Sequence, residues 1–305
     1  MSIQQPLVSV IVPTYKRSTM LPRAIDSILS QTYDNVQVVV VDDNNPDSEW
    51  RKTTSALMMQ YKDNPKVKYV CHPANLNGSV ARNTGIKESD GEIITYLDDD
   101  DMYVPEKIRK QVEFLLAHQE FNAVYCGWFR DGNKIVPVGE GDLSFGILSG
   151  SNIIITNAIM MWRDIALSCG GWDTELTRHQ EAAYLLNFFR AGGMIGRLDE
   201  ELVKFDTSDR SNVSNPELNE EQLLYLLEKN RDLIERCETN RKGTLKEIYA
   251  RRYLGVVLPY AQSKMYFKAF LKTFQYGAKY PFTFMKVLGN YIKWRTSPEY
   301  IVQTR

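Results

Sequence analysis

The sequence is poor in cysteine, and the cysteines that it has form no recognisable site. Cys71, Cys126, Cys169 and Cys237 are widely scattered and include no CxxC pair. A zinc centre or a disulfide framework requires closely or regularly spaced cysteines, so neither is predicted. Buried free thiols are the expected state of these side chains.

The sequence also lacks an export signal and a convincing membrane span. It begins Met-Ser-Ile-Gln-Gln-Pro, with no basic region ahead of an apolar stretch, and we therefore expect a cytoplasmic protein. Residues 143–162 are uncharged and long enough to cross a bilayer, but they include serines, glycines, asparagines and a threonine. This polar content disfavours a membrane helix and predicts a loop followed by a buried element.

Charge is distributed unevenly along a chain whose composition is otherwise that of a globular protein, 43% hydrophobic and 25% charged. Residues 251–305 contain ten Lys or Arg and one acid, Glu299, for a net charge of +9. Because the whole chain carries −1, the first 250 residues carry −10. The basic tail is therefore a separate electrostatic part of the chain. We predict a first domain at 1–215 and, containing this tail, a helical C-terminal region at 216–305.

Apolar residues in the first 130 positions alternate between the periods of strands and of helices. Short β-branched runs predict strands at 8–12, 38–41, 67–71 and 92–97. Helical stripes lie between them, the first formed by Leu21, Ile25, Ile28 and Leu29. Strands that alternate with helices predict an α/β sheet with right-handed crossovers.

Polar residues collect where these strands end. Pro13-Thr14-Tyr15 follows the first strand, Asp42-Asp43-Asn44-Asn45 the second, and Asp98–Asp101 the fourth. Sheets of this kind bind ligands at the carboxyl ends of their strands. One crevice is therefore predicted to gather all three groups.

The four consecutive aspartates, Asp98–Asp101, are the most informative feature of the chain. Adjacent carboxylates repel one another, so placing them at the mouth of a buried strand requires compensation. Mg²⁺ or Mn²⁺ would supply it, because hard cations prefer carboxylate oxygens and keep open positions for nucleotide phosphates. A solvated acidic loop is the alternative, and the strand context favours the metal site.

Six segments carry a further signal: VSVIVPTYKR (8–17), SILSQTY (27–33), VVVVDDNN (38–45), ARNTGI (81–86), GEIITYLDDDD (91–101) and GGWDTEL (170–176). In kind and order they resemble inverting family 2 glycosyltransferases with the GT-A fold. The resemblance implies a Rossmann-like mixed α/β sheet flanked by helices, with a helical C-terminal extension. It also implies an enzyme that moves a sugar from a nucleotide-sugar to a hydroxyl group.

The resemblance assigns a nucleotide site to residues at the strand ends. It places around the base and ribose Pro13, Thr14, Tyr15 and Arg17, and it makes Asp43 an acceptor of a hydrogen bond from the base. Taken alone, these residues would be an ordinary loop and turn.

The family's DXD position, where carboxylates hold Mn²⁺ or Mg²⁺ against the diphosphate, corresponds here to Asp98, Asp99 and Asp100. The first two are also predicted to contact the nucleotide, and Asp100 to take part in catalysis. Arg82 is a candidate for contacting the diphosphate or fixing the aspartates. A surface salt bridge is the structural alternative for Arg82.

The family's general base is commonly an Asp at the start of a helix behind a Gly-Gly-Phe/Trp-Asp turn. This sequence has Arg178-His179-Gln180-Glu181 there, so the resemblance predicts Glu181 as the base, one methylene longer than Asp. His179 is a rival base because of its ordinary pKa, and a favourable charge at a helix N-terminus also accounts for Glu181. Trp172, Asp173 and His179 are expected on the acceptor side.

The basic C-terminal region is also rich in aromatic residues, with thirteen in residues 251–305. Lys264, Lys268 and Lys272 recur every four residues beside a stripe that contains Phe267, Phe270, Leu271 and Phe274. This pattern is typical of a helix lying on a membrane surface. The alternative is a helix that buries its apolar stripe and exposes its lysines. No nucleic-acid-binding module accompanies the pattern, so nucleic acid is not an expected partner.

Together these observations predict a metal-dependent glycosyltransferase in capsule, O-antigen or exopolysaccharide synthesis, cytoplasmic or peripheral at the inner face of the membrane. A UDP-sugar is the expected donor, and a glycan or lipid-linked hydroxyl the acceptor. The Gln-x-x-Arg-Trp segment of processive synthases is missing, which favours single addition. The alternatives are a sugar nucleotidyltransferase and a catalytically idle nucleotide-sugar-binding subunit.

Overall fold

The structure is a computed structural model that describes residues 5–207 and 215–296. Its strands are β1 Val8–Thr14, β2 Val36–Asp42, β3 Val67–Cys71, β4 Ile93–Tyr96, β5 Met102–Tyr103, β6 Ala123–Arg130, β7 Asn133–Ile135, β8 Ile159–Trp162 and β9 Ile195–Phe205. Its helices are α1 Leu21–Leu29, α2 Glu49–Met58, α3 Gly78–Glu88, α4 Lys107–Ala117, α5 Ser144–Ser149, α6 Arg163–Ser168, α7 Gln180–Arg190, α8 Pro216–Lys229, α9 Arg231–Asn240, α10 Thr244–Gln262, α11 Tyr266–Gly277 and α12 Pro281–Arg295. These elements form two compact units, Met1–Asp142 with Ile154–Asp209, and Leu143–Ile153 with Arg210–Arg305.

The first unit is built on one mixed sheet with the strand order β3-β2-β1-β4-β8-β6-β9-β5, and β7 lies beside β6. The strands β3, β2, β1 and β4 are parallel, whereas β8 runs antiparallel to both of its neighbours. Val8, Val10, Ile11 and Val12 of β1 are fully buried, as expected for a central strand covered on both faces. The predicted α/β architecture is confirmed.

The parallel register places the polar strand ends side by side. Thr14, the last residue of β1, pairs with Asp42, the last residue of β2. The sequence pattern had placed Pro13 and Thr14 after the strand, but β1 continues through both of them. The aspartates follow β4, which pairs with β1 on its other side, so all three polar groups belong to one edge of the sheet.

The second unit consists of α5 and α8–α12. Within the predicted helical region, α8 and α9 are separate helices that meet at Asn230. Glu220 of α8 links three helices, because its carboxylate accepts hydrogen bonds from Tyr260 of α10 (2.7 Å) and from Tyr276 and Lys272 of α11. The predicted helical C-terminal region is confirmed.

The uncharged stretch 143–162 contains the short helix α5 and the buried strand β8. The prediction of a buried element behind a polar segment is therefore confirmed. In residues 5–207 and 215–296, no helix is both long enough and apolar enough to span a membrane.

Candidate active site

The end of β1 contacts the aspartates that follow β4. The Thr14 hydroxyl donates a 2.7 Å hydrogen bond to Asp99 Oδ2. Arg17, three residues later, lies 3.4 Å from Asp99 Oδ1 and 2.8 Å from Asp100 Oδ2. The structure therefore brings together two of the predicted nucleotide-binding residues and the aspartate run, and Tyr15 lies exposed beside them in sequence.

The four aspartates alternate in their surroundings. The side chains of Asp98 and Asp100 are 30% and 15% exposed, whereas Asp99 and Asp101 are buried. Burial, followed by the charge of Asp98, raises the pKa of Asp101 to about 8, and burial raises the pKa of Asp99 to about 7. The pKa of Asp100 is raised by burial and by Asp98. Burial, and after it the charges of neighbouring carboxylates, therefore disfavours the ionised forms of Asp99, Asp100 and Asp101.

Asn157 holds the turn that carries the aspartates, a role that sequence reasoning missed. Its Oδ1 accepts a 2.9 Å hydrogen bond from the Asp98 backbone amide, and its amide group donates to the Asp101 carboxylate. Asp101 also accepts a 2.6 Å hydrogen bond from the Asp206 backbone amide. The one available signal in the sequence was an asparagine among the largely apolar residues 153–162.

Arg82 joins the aspartates to the start of α7. Its guanidinium donates to Asp98 Oδ1 at 2.7 Å and to Gln180 Oε1 at 3.1 Å. It also lies 4.8 Å from the centroid of the Trp172 ring. Arg82 is buried and forms an ion pair with Asp98, so the ion pair of the structural alternative is present but does not lie on the surface. A role of Arg82 in fixing the aspartates stays a prediction.

Trp172 is held by the turn that precedes α7. Asn83 clamps its backbone, accepting from Trp172 N at 2.8 Å and donating to Trp172 O at 2.8 Å. Gly171 has φ +70°, and a Cβ there would meet Asn83 Oδ1 at 2.6 Å, so glycine is required. The indole stacks on Tyr184 at 4.3 Å. These contacts hold the Trp172 ring in place beside the Arg82 guanidinium.

Two of the predicted residues, His179 and Glu181, lie at the start of α7, whereas Trp172 and Asp173 are buried in the preceding turn. His179 precedes the helix with φ +59°, Gln180 is its first residue, and Glu181 lies partly exposed in its first turn. Gln180 is fixed from both sides, because its amide group also donates to Leu176 O at 2.7 Å. Asp173 Oδ1 accepts from the Glu175 backbone amide at 3.1 Å. Gln180 is a positioning residue that sequence reasoning missed.

The Asp43 carboxylate is hydrogen-bonded to other residues of the protein. Its carboxylate accepts hydrogen bonds from His72, Asn75 and the backbone amides of Leu76 and Asn77, at 2.7–3.0 Å. It therefore anchors the loop between β3 and α3, which leads directly to Arg82. Its predicted contact with a nucleotide base stays a prediction.

The donor chemistry of the aspartates fits a divalent cation. In the part of the chain that the structure describes, no three His, Cys, Asp or Glu side chains gather as a preformed metal site. Asp98 and Asp100 lie two positions apart with partly exposed carboxylates, whereas Asp99 faces Thr14 in the interior. One or two carboxylates are the usual protein share of a Mg²⁺ site on a nucleotide, with phosphates and water supplying the remaining ligands.

Comparison with known proteins agrees with this geometry. Residues 9–155 match the family described as Glycosyl transferase family 2. Four Rickettsia proteins named uncharacterized glycosyltransferases are 35–40% identical over 40–51% of this chain, which spans only 17–38% of their length. The amylovoran biosynthesis glycosyltransferase AmsB of Erwinia amylovora is 26% identical over 185 residues, 57% of this chain and 60% of AmsB.

Two solved structures share the fold at 16% identity. One is residues 1–349 of TarS from S. aureus in complex with UDP-GlcNAc, with a TM-score of 0.61 over 94% of this chain and 92% of TarS 1–349. The other is the mannosyltransferase PcManGT from Pyrobaculum calidifontis in complex with GDP-Man and Mn²⁺, with a TM-score of 0.60 over 97% and 89%. Residues 9–155 are therefore similar to a glycosyl transferase family 2 domain, and the chain has the GT-A fold that the motifs predicted.

Proposed function

We propose that this chain is a metal-dependent, inverting glycosyltransferase that moves one sugar from a nucleotide-sugar to a hydroxyl group of a glycan or lipid-linked acceptor. One observation carries the proposal, the contact of the Arg82 guanidinium with both Asp98 and Gln180. Asp98 belongs to the donor-side carboxylates, and Gln180 directly precedes the candidate base Glu181. Arg82 therefore links the proposed donor side of the site to the proposed acceptor side.

The donor side would work through charge. We assign the cation to Asp98 and Asp100; when bound, it neutralises the charge that develops on the leaving diphosphate. Arg17 and Arg82, which already contact these carboxylates, add positive charge next to the same group. Asp99 and Thr14 hold the aspartate turn against β1, and Pro13 and Tyr15 flank this position for the nucleoside.

The acceptor side would work through proton removal. Glu181 takes the proton from the acceptor hydroxyl while that oxygen attacks C1 of the sugar on the face opposite the diphosphate. The bond from C1 to the acceptor oxygen forms, and the bond from C1 to the phosphate oxygen breaks. With a base and no covalent nucleophile, the configuration at C1 inverts. Trp172, Asp173 and His179 would line the acceptor position.

The default donor is a UDP-sugar, which the TarS complex with UDP-GlcNAc supports through a shared fold. Likeness to AmsB supports a role in cell-surface polysaccharide synthesis such as that of capsule or O-antigen. The sugar nucleotidyltransferase alternative has less support, because the sequence has no glycine-rich phosphate loop with a lysine near its N-terminus. The idle-subunit alternative makes a distinct prediction, treated in the Discussion.

Thermal shift tests the donor site directly. With UDP at about 100-fold its Kd and Mn²⁺ present, we expect the Tm to rise by about 5 °C, and with EDTA in place of Mn²⁺ we expect little change. Asp100→Asn should remove the Mn²⁺-dependent part of the shift, because one of the two proposed ligands loses its charge. Asp63→Asn, at an exposed turn outside the cleft, should behave like the parent. Equal shifts with Mn²⁺ and EDTA would refute metal dependence.

We further propose that the second unit docks on an anionic membrane. The stripe of α11 predicted from the sequence faces outward, since Phe267, Phe270 and Phe274 are 74%, 68% and 75% exposed. Residues 264–296 contain seven Lys or Arg and no acid. Lys268 and Lys272 form ion pairs with Glu217 and Glu220 of α8, at 2.8 and 2.6 Å, and the Lys268 side chain is exposed. The exposed phenylalanines contradict the alternative in which this helix buries its apolar stripe.

Both the aromatic residues and the cations of this exposed face suit a bilayer surface. Aromatic side chains are favoured at the boundary between head groups and acyl chains. The remaining cations of this segment, which include Lys286 and Lys293 on α12, favour anionic head groups at about 1 kcal/mol each. A lipid-linked acceptor would make such docking useful.

Flotation with vesicles tests this docking. We expect the protein to float with phosphatidylglycerol vesicles and to bind phosphatidylcholine vesicles at least about tenfold more weakly. Replacing Phe267, Phe270 and Phe274 with serine should abolish flotation at little cost in stability, because all three are exposed. The matched control replaces Met59, Val138 and Ile153, also exposed apolar residues, with serine. A parent protein that stays in solution, and forms a dimer that the Phe variant loses, would show that a second copy covers this face.

A further inference from the structure

A groove of about 690 Å³ lies among the helices of the second unit. Its walls come from α8, α9 and α10 and from the turn between α11 and α12, and four tyrosines line it: Tyr225, Tyr249, Tyr253 and Tyr280. The volume is in the range of sites that hold small ligands. None of the residues proposed for donor binding or proton transfer lines this groove.

The tyrosine rings form an extended aromatic surface. The Tyr249 centroid lies 5.6 Å from that of Tyr253 and 6.0 Å from that of Tyr280, and the ring planes are tilted by 38° and 31°. Tyr249 and Tyr280 are partly exposed. Among the described residues, the hydroxyl groups of these two tyrosines have no hydrogen-bond partner. The surface therefore offers apolar ring faces together with unused polar tips.

The rim of the groove carries charges of both signs. Glu228 and Glu235 lie among the lining residues with Arg231 and Lys279. Arg231 and Glu228 form a 2.6 Å ion pair. Lys279 Nζ is 3.4 Å from the Tyr253 hydroxyl and 5.1 Å from the centroid of the same ring. The groove therefore offers both hydrogen-bond donors and acceptors next to the tyrosine rings.

We propose that this groove binds a carbohydrate chain. A sugar ring has an apolar C–H face that can lie on a tyrosine ring, and hydroxyl groups that both donate and accept hydrogen bonds. A nucleotide phosphate would be repelled by the two glutamates, and a lipid chain would leave four charged groups and the tyrosine hydroxyls unused. Lys279 and Tyr280 join α11 to α12, so a glycan anchored in the proposed membrane surface would extend beside the groove. The choice of a glycan rests on the proposed function.

Saturation-transfer NMR on the full chain tests the inference, with maltohexaose, cellohexaose and chitohexaose as probes. We expect ring-proton saturation for at least one probe with the parent protein. Tyr249→Ala and Tyr280→Ala should lower it by about fivefold, because each removes a stacking face, and Tyr249→Phe should retain most of it. Tyr266→Ala, at an exposed tyrosine outside the groove, is the control. Absence of saturation with all three probes, or equal saturation in every variant, overturns the inference.

The Glu181→Gln variant separates this inference from the proposed function. It should show the parent's saturation, because Glu181 does not line the groove. Saturation that depends on Tyr249 in a protein that transfers no sugar would leave the groove standing while the proposed activity fails. Sugar transfer by a protein that shows no saturation with any probe would support the proposed activity and overturn the inference about the groove. Circular dichroism of each tyrosine variant must match the parent, and Tyr249→Phe provides a reading if Tyr249→Ala does not fold.

Discussion

Replacing Glu181 with glutamine should lower the rate of sugar transfer by about 10²–10⁴-fold while leaving nucleotide binding unchanged. Glutamine keeps the length and nearly the shape of the side chain but cannot accept the acceptor proton. Glu181 lies in the first turn of α7, next to Gln180, which Arg82 fixes against Asp98. The measurement is the initial rate of transfer at saturating donor, paired with the Tm shift produced by UDP and Mn²⁺.

The matched control for Glu181→Gln is Glu175→Gln. Glu175 is an exposed glutamate on the turn that precedes α7, and its replacement should leave the rate within about twofold of the parent. Unchanged transfer in the Glu181 variant would contradict its assignment as base and make His179 the next candidate, tested as His179→Asn. The idle-subunit alternative predicts metal-dependent UDP binding with no measurable transfer by the parent protein, whichever residue is changed.

The sequence predicted the first half of the sheet well because its signals are local. Alternation of β-branched runs and helical stripes is a property of neighbouring residues, and the parallel strand ends then follow from topology. The runs at 8–12 and 67–71 became strands β1 and β3 with at most two residues of difference at either end. The predicted helical region at 216–305 carried no position for the breaks at Asn230 and near Lys264, because apolar periodicity continues across them.

The side-chain network of the site could not be predicted from the sequence in the same way. Asn157 is 56 residues from its partner Asp101, and Gln180 is 98 residues from Arg82. Such pairs depend on how distant loops meet, and no local pattern encodes that meeting. Lys107 gives a second example, since its charge predicts exposure but it is fully buried and hydrogen-bonded to Thr95 at 2.7 Å. Burial lowers the pKa of Lys107 to about 7.

The network makes Arg82 the most sensitive positioning residue of the site. Arg82→Met should lower kcat by about 10²-fold, because Asp98 and the start of α7 lose their shared partner and small misplacements in a transfer site are costly. It should also lower stability by about 2 kcal/mol, a discounted value because the Asp98 side chain is 30% exposed. Arg109→Met removes an exposed ion pair with Glu113 and should cost less than about 0.5 kcal/mol with no change in rate.

Two readouts distinguish positioning by Arg82 from simple loss of fold. If Arg82 orients Asp98, the Mn²⁺ concentration that gives half-maximal rate rises in Arg82→Met, whereas partial unfolding lowers the rate without changing that concentration. Arg82→Lys is the sharper variant, because an ammonium group keeps the charge but cannot span Asp98 and Gln180 with a planar fork. We expect Arg82→Lys to recover the lost stability but not the lost rate. Full recovery of the rate by lysine would show that Arg82 contributes charge alone, and the coupling of Asp98 to α7 would then have no part in the reaction.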